Sequence, residues 1–372
     1  CLNKGYPTGA MEMKSQRDIH RVSPACAIPD LAGEITAALA GTGPALGLGE
    51  VRSTSAPSHI ALVIGTSGTT GMSKEVAFTA SALLASARAS NKFLGAKAGQ
   101  QWSLFLPLTH IAAVNVIIRS MELETLPIDL REHQGEYPQV DFTSIVPTQL
   151  FRALNSDERL LRHLQSAKAV LVGGAALSPA LSQQAMTAGI NVVETYGMTE
   201  TSGGCIYNNR ALPGVSVMVD GTGRLMIKGP ILASGYEDNQ ELWNQNFKNG
   251  WFLTSDLGTV RDDEVQVIGR SDDVVLSGGE NVSLYAIENE LSTSFPEITF
   301  LATAIPDAEW GQKICLISNS EIDYDRISEI LKTTLGKQFV PKEFLVMKQI
   351  PEIGIGKPDR VKASQIFMDK QR

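Results

Sequence analysis

The stretch LVIGTSGTTGMSKEV, residues 62–76, sets glycines at 65, 68 and 71 among a run of hydroxyls and ends beside the cation Lys74. Glycines admit close backbone approach, free N–H groups and hydroxyls can donate to phosphate oxygens, and a lysine adds a mobile positive charge. That chemistry suits a polyphosphate. The common nucleotide-loop pattern G-x-x-x-x-G-K-[ST] is not met, because Lys74 follows Ser73 and precedes Glu75. Taken alone, the stretch fits an ordinary Gly/Ser/Thr turn equally well.

The elements around it must decide. Residues 60–64 read as a short buried strand and 81–93 as a helix, so 66–74 is expected to connect strand to helix. Further on, HIALVIG, WSLFLPL, DFTSIVP, AKAVLVGG and INVVETYG alternate with helix-like stretches, the pattern of an α/β domain with a largely parallel sheet. Polar or glycine-rich segments at 66–74, 108–110, 173–176 and 196–200 follow these strands. In open α/β sheets ligands bind beyond the carboxyl ends of strands, so four such ends on one crevice would make a nucleotide site. Residues 1–57 are weakly patterned, and AALAGTGPALGLGE reads as loop between short elements. Past Pro213, pieces such as GRLMIKG and EVQVIGR indicate a smaller β subdomain. After Arg270 comes a further unit with amphipathic helices near 284–293 and 324–335, and the boundary falls at 271–273.

At 372 residues the chain exceeds the usual single-domain size. A net charge of -8 without basic tracts argues against nucleic acid as a partner. Cys1, Cys26, Cys205 and Cys315 form no C-x-x-C pair, so neither a zinc site nor a disulfide framework is expected and a reducing cytoplasm is the simplest home. No run approaches the roughly 18 apolar residues of a membrane span. The opening Cys1, in place of Met, is read as a trimmed or incomplete start.

TSGTTGMSK, ETYGMTET, GWFLTSDLG, VIGRSDDVVLSGGENVSLYAIE and GIGKPDR stand in an order and spacing that resembles the adenylate-forming superfamily of acyl-CoA ligases, luciferases and peptide-synthetase adenylation domains. The resemblance covers residues 58–362. Within it, LPLTHIAAVNVIIRS, TSIVPTQLFRAL, VLVGGAALSPAL and TYGMTETSGGCIYNNRALPGV are similar to the o-succinylbenzoate-CoA ligases of menaquinone biosynthesis in their short actinobacterial-type form. It implies an α/β fold with an abbreviated N-terminus: residues 1–270 binding ATP and the acyl group, and a small mobile α+β C-terminal domain, 271–372, turning on a hinge at Asp272.

The reaction so implied has two steps, adenylation of a carboxylate by ATP with Mg²⁺, then transfer to coenzyme A. Thr66, Ser67, Gly68, Thr69, Thr70, Gly71 and Lys74 would embrace the leaving pyrophosphate. Thr199 and Glu200 match the positions for phosphate and Mg²⁺ contact. Gly174, Ala175, Tyr196 and Gly197 resemble the adenine wall, and Asp256 and Arg270 the ribose contacts. Lys357 matches the lysine brought to the carboxylate and α-phosphate, and Gly278 and Gly279 lie in the loop lining the pantetheine tunnel. His110 occupies the position that gates the carboxylate.

The acid itself is addressed by Arg119, placed with Asn115 on one face of a predicted helix from 112 onward. A planar guanidinium suits a second carboxylate, such as the benzoate group of o-succinylbenzoate, with Ser144 a further pocket residue. The opposing reading is a helix-surface arginine paired to Glu122 or Glu124. The resemblance also points to a homodimer. Ser73, Ala113, Ser255 and Ser283 depart from the family pattern, which bears on loop rigidity and turnover. A ligase for another aromatic or aryl-keto acid, or a nucleotide-binding regulator without catalysis, are the competing readings.

Overall fold

The computed structural model describes residues 15–66, 74–353 and 357–370. The strand Ile60–Thr66 is buried throughout its apolar run, as strands covered on both faces are. It pairs in parallel with Ala45–Leu48 and antiparallel with Lys74–Thr79. Gln16–Arg21, Ser55–Pro57 and Gly235–Tyr236 complete this six-stranded sheet.

Two expectations are corrected here. The 66–74 segment joins strand to strand, because KEVAFT sinks Val76, Ala77 and Phe78 into the core as a short strand of its own. The helix Ala80–Phe93 begins only after it, capped by the Thr79 side chain, which accepts from the Ala82 N–H at 3.1 Å. AALAGTGPALGLGE, in turn, is not loop. It carries the end of the helix Ile28–Ala40, a left-handed Gly41 cap at φ 72° and the fully buried strand Ala45–Leu48. Gly41 caps the helix, whereas Gly47 lies within the buried strand.

The second sheet has twelve strands. Its middle, Trp102–Leu104, Phe142–Ile145, Ala169–Val172 and Val192–Met198, is parallel, with helices between successive strands. Antiparallel strands continue from it through Gly203–Tyr207, Arg210–Ala211, Glu264–Arg270 and Trp251–Arg261. The β texture past Pro213 is therefore continuous with the parallel sheet. The four expected ligand-facing ends divide, 66–74 on the first sheet and the other three on the second.

The helix Ile111–Glu122 is buried nearly all round, and its Val114, Ile117 and Ile118 share one core with Leu62 and Phe78 of the first sheet and Trp102 of the second. Each such apolar side chain contributes about 1.5–3 kcal/mol on burial, and Phe78→Ala would cost about 3–5 kcal/mol through the cavity it leaves. Asn115 and Arg119 are conspicuous on this helix as polar residues in that core.

Past Arg270, the hairpin Val274–Ser277 and Glu280–Ser283 leads into the helix Leu284–Ser294 and the strands Phe300–Asp307, Gly311–Ser318 and Glu343–Val346. Ile287, Leu291, Leu316, Ile327 and Leu331 form a separate core there. Among the described residues no helix is long and apolar enough to cross a membrane.

Candidate active site

Thr66 and Lys74 face each other at the base of the first-sheet hairpin, where the Thr66 hydroxyl donates to the Lys74 carbonyl at 3.3 Å. Ser67, Gly68, Thr69, Thr70, Gly71 and Ser73 lie outside the described residues. Next to Lys74 the fully buried Glu75 carboxylate accepts from the Arg52 N–H at 2.6 Å and the Ser53 N–H at 3.2 Å. Burial works against its charge, but these donors outweigh it and hold Glu75 below the usual carboxylate range. The base of the loop is thereby anchored to residues 52–53.

The Lys74 ammonium lies 5.1 Å from the ring centroid of Tyr236, and the Tyr236 hydroxyl donates to Glu200 Oε1 at 2.6 Å. Tyr236 thus joins the loop lysine of one sheet to the glutamate of the other. Thr199 and Glu200 sit in a short 3-10 turn, Thr199–Thr201. The Thr201 hydroxyl ties the turn to its flanks, donating to the Gly203 carbonyl at 2.7 Å and accepting from the Met198 N–H at 3.0 Å. Burial first, and the Glu200 charge second, push the Tyr236 phenol up, so it stays a donor. Among the described residues no group of three His, Cys, Asp or Glu side chains makes a metal cage. A hard cation carried in on phosphates needs only one or two carboxylates, and Glu200, with one oxygen engaged by Tyr236, fits that demand.

A second constellation lies on the antiparallel strands. Asp256 and Arg270 are opposite each other in the ladder, with Arg270 Nη1 3.5 Å from Asp256 Oδ1 and Arg270 Nη2 2.5 Å from Asp272 Oδ2. The Tyr196 hydroxyl donates to Asp256 Oδ2 at 2.5 Å. Burial raises the Asp256 pKa above the ordinary carboxylate value, with Tyr196 and Arg270 opposing and Asp272 and Asp273 assisting. Gly197 is required beside Tyr196, since a Cβ there would stand 2.0 Å from the Gly203 carbonyl oxygen. Gly174, at φ 84°, and Ala175 follow the parallel strand Ala169–Val172. A carboxylate flanked by a guanidinium and an aromatic hydroxyl can take paired sugar hydroxyls.

Arg119 is 4% exposed. Its Nη2 donates to the Tyr207 hydroxyl at 2.9 Å, its guanidinium lies 5.3 Å from the Trp102 ring centroid, and its Nε finds no partner among the described residues. No carboxylate among the described residues lies within ion-pair distance of it. Glu122, one of the two alternative partners, is taken by Arg88 at 2.5 Å, among the described residues no ion pair joins Glu124 to Arg119, and Arg119 is buried, so the surface-arginine reading is overturned. Asn115 Nδ2 donates to the Ser202 carbonyl at 2.5 Å, while Asn115 Oδ1 and the buried Ser144 Oγ are unpartnered among the described residues. His110 stands just before the same helix, exposed, with Nδ1 2.9 Å from the Thr109 hydroxyl. Nine residues of helix put Arg119 about 13 Å along the axis from it.

Gly278 and Gly279 form the hairpin turn between Val274–Ser277 and Glu280–Ser283, at φ 59° and 82°. Positive φ at both central residues is what a tight two-residue hairpin asks of glycine. Asp272 lies in the short turn Ser271–Asp273. Lys357 pairs through its backbone with Ile353, and its side chain lies outside the described residues.

Tyr236, Tyr207, Trp102 and Glu75 escaped sequence reasoning. Each looks like an ordinary core or strand residue; tertiary contact with Lys74, Glu200 or Arg119 marks the three aromatics, and contact with Arg52 and Ser53 marks Glu75.

Residues 14–237 match the family described as AMP-binding enzyme. A probable 2-succinylbenzoate-CoA ligase of Mycobacterium tuberculosis is 35% identical over 322 residues, 81% of this chain and 83% of that protein. A 2-succinylbenzoate-CoA ligase of Listeria monocytogenes is 27% identical over 336 residues, 83% of this chain and 70% of that protein. Among solved structures, the O-succinylbenzoate coenzyme A synthetase of Bacillus subtilis in complex with AMP has a TM-score of 0.72 at 24% identity, over 84% of this chain and 71% of that one, a likeness of fold.

Proposed function

The chain belongs to the AMP-binding enzyme family, and from that premise we propose that it activates o-succinylbenzoate with ATP and passes the acyl group to coenzyme A, a step of menaquinone biosynthesis. The observation that carries the substrate is Arg119, a buried guanidinium with no carboxylate partner among the described residues. An uncompensated buried charge is costly. A substrate with a second carboxylate would supply the missing partner, and the relatives named as 2-succinylbenzoate-CoA ligases support that substrate.

In the first step a succinyl carboxylate oxygen attacks the α-phosphorus of ATP, forming the acyl-adenylate as the bond to pyrophosphate breaks. In the second, the thiol of coenzyme A attacks the acyl carbon, loses its proton and expels AMP. The chain's work in the first step is alignment and charge neutralisation. Lys74 and residues 66–71 hold the pyrophosphate, Thr199 and Glu200 the phosphates with Mg²⁺, and Tyr196, Asp256 and Arg270 the nucleoside. His110 lies at the carboxylate end of the acyl site, while Arg119, Asn115 and Ser144 take the far end.

Residues 1–270 and 271–372 are assigned as two domains, a division supported by their separate cores. A turn at Asp272 would bring either Lys357, for adenylation, or Gly278 and Gly279, for the pantetheine arm, to one site. We assign the enzyme to the cytoplasm as a homodimer, where the free thiols of Cys26, Cys205 and Cys315 suit reducing conditions.

The test is product analysis by mass spectrometry with ATP, Mg²⁺, coenzyme A and o-succinylbenzoate. o-Succinylbenzoyl-CoA with stoichiometric AMP supports the proposal; ADP, or no thioester, contradicts it.

A further inference from the structure

Tyr236 occupies the two-residue strand Gly235–Tyr236, opposite Val76 and two residues along from Lys74 on the facing strand. Its residue is 2% exposed, and its ring meets Trp243 edge-on at 5.3 Å and 87°, so it has no room to swing. The surrounding backbone laces the two halves of the phosphate side together. The Ala233 N–H donates to the Glu200 carbonyl at 2.8 Å, Ser234 N–H to Ala77 at 2.8 Å and Glu237 N–H to Glu75 at 2.9 Å. Lys74 and Glu200 both touch Tyr236, yet among the described residues no ion pair joins them.

Two opposite charges thus meet on one side chain. A direct Lys74–Glu200 bridge would neutralise both before nucleotide arrived. The phenol instead donates to Glu200 without adding charge, and the ring face holds an ammonium by its quadrupole, a weak and readily exchanged contact. We infer that Tyr236 is a positioning residue of the phosphate–cation site: it aims the Glu200 carboxylate and stations the Lys74 ammonium, keeping the two apart and available. The inference rests on reading Lys74 as a phosphate contact and Glu200 as the carboxylate for the nucleotide-borne cation.

Tyr236→Phe keeps the ring and deletes only the donor. The readout is Mn²⁺ affinity of the full chain with a non-hydrolysable ATP analogue, followed by electron paramagnetic resonance, beside the Mg²⁺ dependence and kcat of acid-dependent pyrophosphate release. Losing one hydrogen bond to a charged group predicts about tenfold weaker Mn²⁺ binding and a similar rise in half-saturating Mg²⁺, with kcat at saturating Mg²⁺ within about twofold of wild type. A fall in kcat with cation affinity unchanged overturns the inference, as that is the signature of a merely structural residue. In a Glu200→Gln background Tyr236→Phe should add no further loss; a second tenfold loss there also overturns it. Should Glu200→Gln alone leave Mn²⁺ affinity unchanged, the reading of Glu200 itself fails, and the two failures are told apart.

Discussion

The Tyr196 hydroxyl reaches across 60 residues of chain to donate to Asp256 at 2.5 Å, closing a parallel strand end onto the antiparallel part of the same sheet. Asp256 is consequently oriented before any nucleotide is present, its other oxygen facing Arg270. Its pKa is raised chiefly by burial, so protonation begins at higher pH than for an ordinary carboxylate.

Two consequences follow for Asp256, with defined signs. Protons bind the folded state more tightly than the unfolded one, so between the ordinary carboxylate value and the raised one this group makes stability fall as pH rises. Nucleotide affinity moves the opposite way, because a protonated, neutral Asp256 accepts ribose hydroxyls more weakly than the carboxylate. ATP binding should weaken as pH is lowered through the raised pKa. Asp256→Asn should bind ATP about tenfold or more weakly and lose that pH dependence, as measured by calorimetry from pH 8 downward.

Arg119 predicts a conflict between stability and function. Burying a charge without a carboxylate partner is costly, so removing it in favour of an apolar side chain of similar length offsets the loss of its contacts to Tyr207 and Trp102. Arg119→Met should therefore match or exceed wild type in denaturant unfolding while KM for the acid rises roughly a hundredfold, consistent with losing a charge-assisted pair, and ATP affinity stays unchanged. Loss of stability together with intact acid binding would make Arg119 a packing residue.

Lys357 is expected to act in one half-reaction only. Lys357→Ala should slow adenylation by about a hundredfold or more, yet leave transfer from supplied acyl-adenylate to coenzyme A within a few-fold of wild type. Single-turnover measurements of each half-reaction decide this, and equal loss in both would remove the lysine from its assigned role.

Much of the candidate site is proposed from the sequence because its parts are local in chain. Lys74 with its glycines suits phosphate contact by residue type alone, whereas Glu200 after Tyr196, and Asp256 followed by Arg270, are marked by short motifs that resemble those of the family. Asn115 and Arg119 are one helical turn apart, so periodicity alone placed them on one face, and the structure puts both in the core. Other features depend on contacts distant in sequence. Nothing in SGYEDNQ marks Tyr236, whose partners Lys74 and Glu200 are remote, and Glu75 gains its meaning from residues 52–53. Errors in the fold had a local cause: glycines near 41–49 disguised a helix end and a buried strand, and KEVAFT was too short to stand out from the helix that follows it.

The central claim is that the buried Arg119 guanidinium selects an acid with a second carboxylate. It is tested most directly by acid-dependent pyrophosphate release with ATP and Mg²⁺, comparing o-succinylbenzoate with 4-oxo-4-phenylbutanoate, which keeps the succinyl carboxylate and lacks the benzoate one. A preference in kcat/KM of roughly a hundredfold or more for o-succinylbenzoate, collapsing to less than tenfold in Arg119→Met, is the predicted result. Equal use of the two acids by the wild-type enzyme would contradict it.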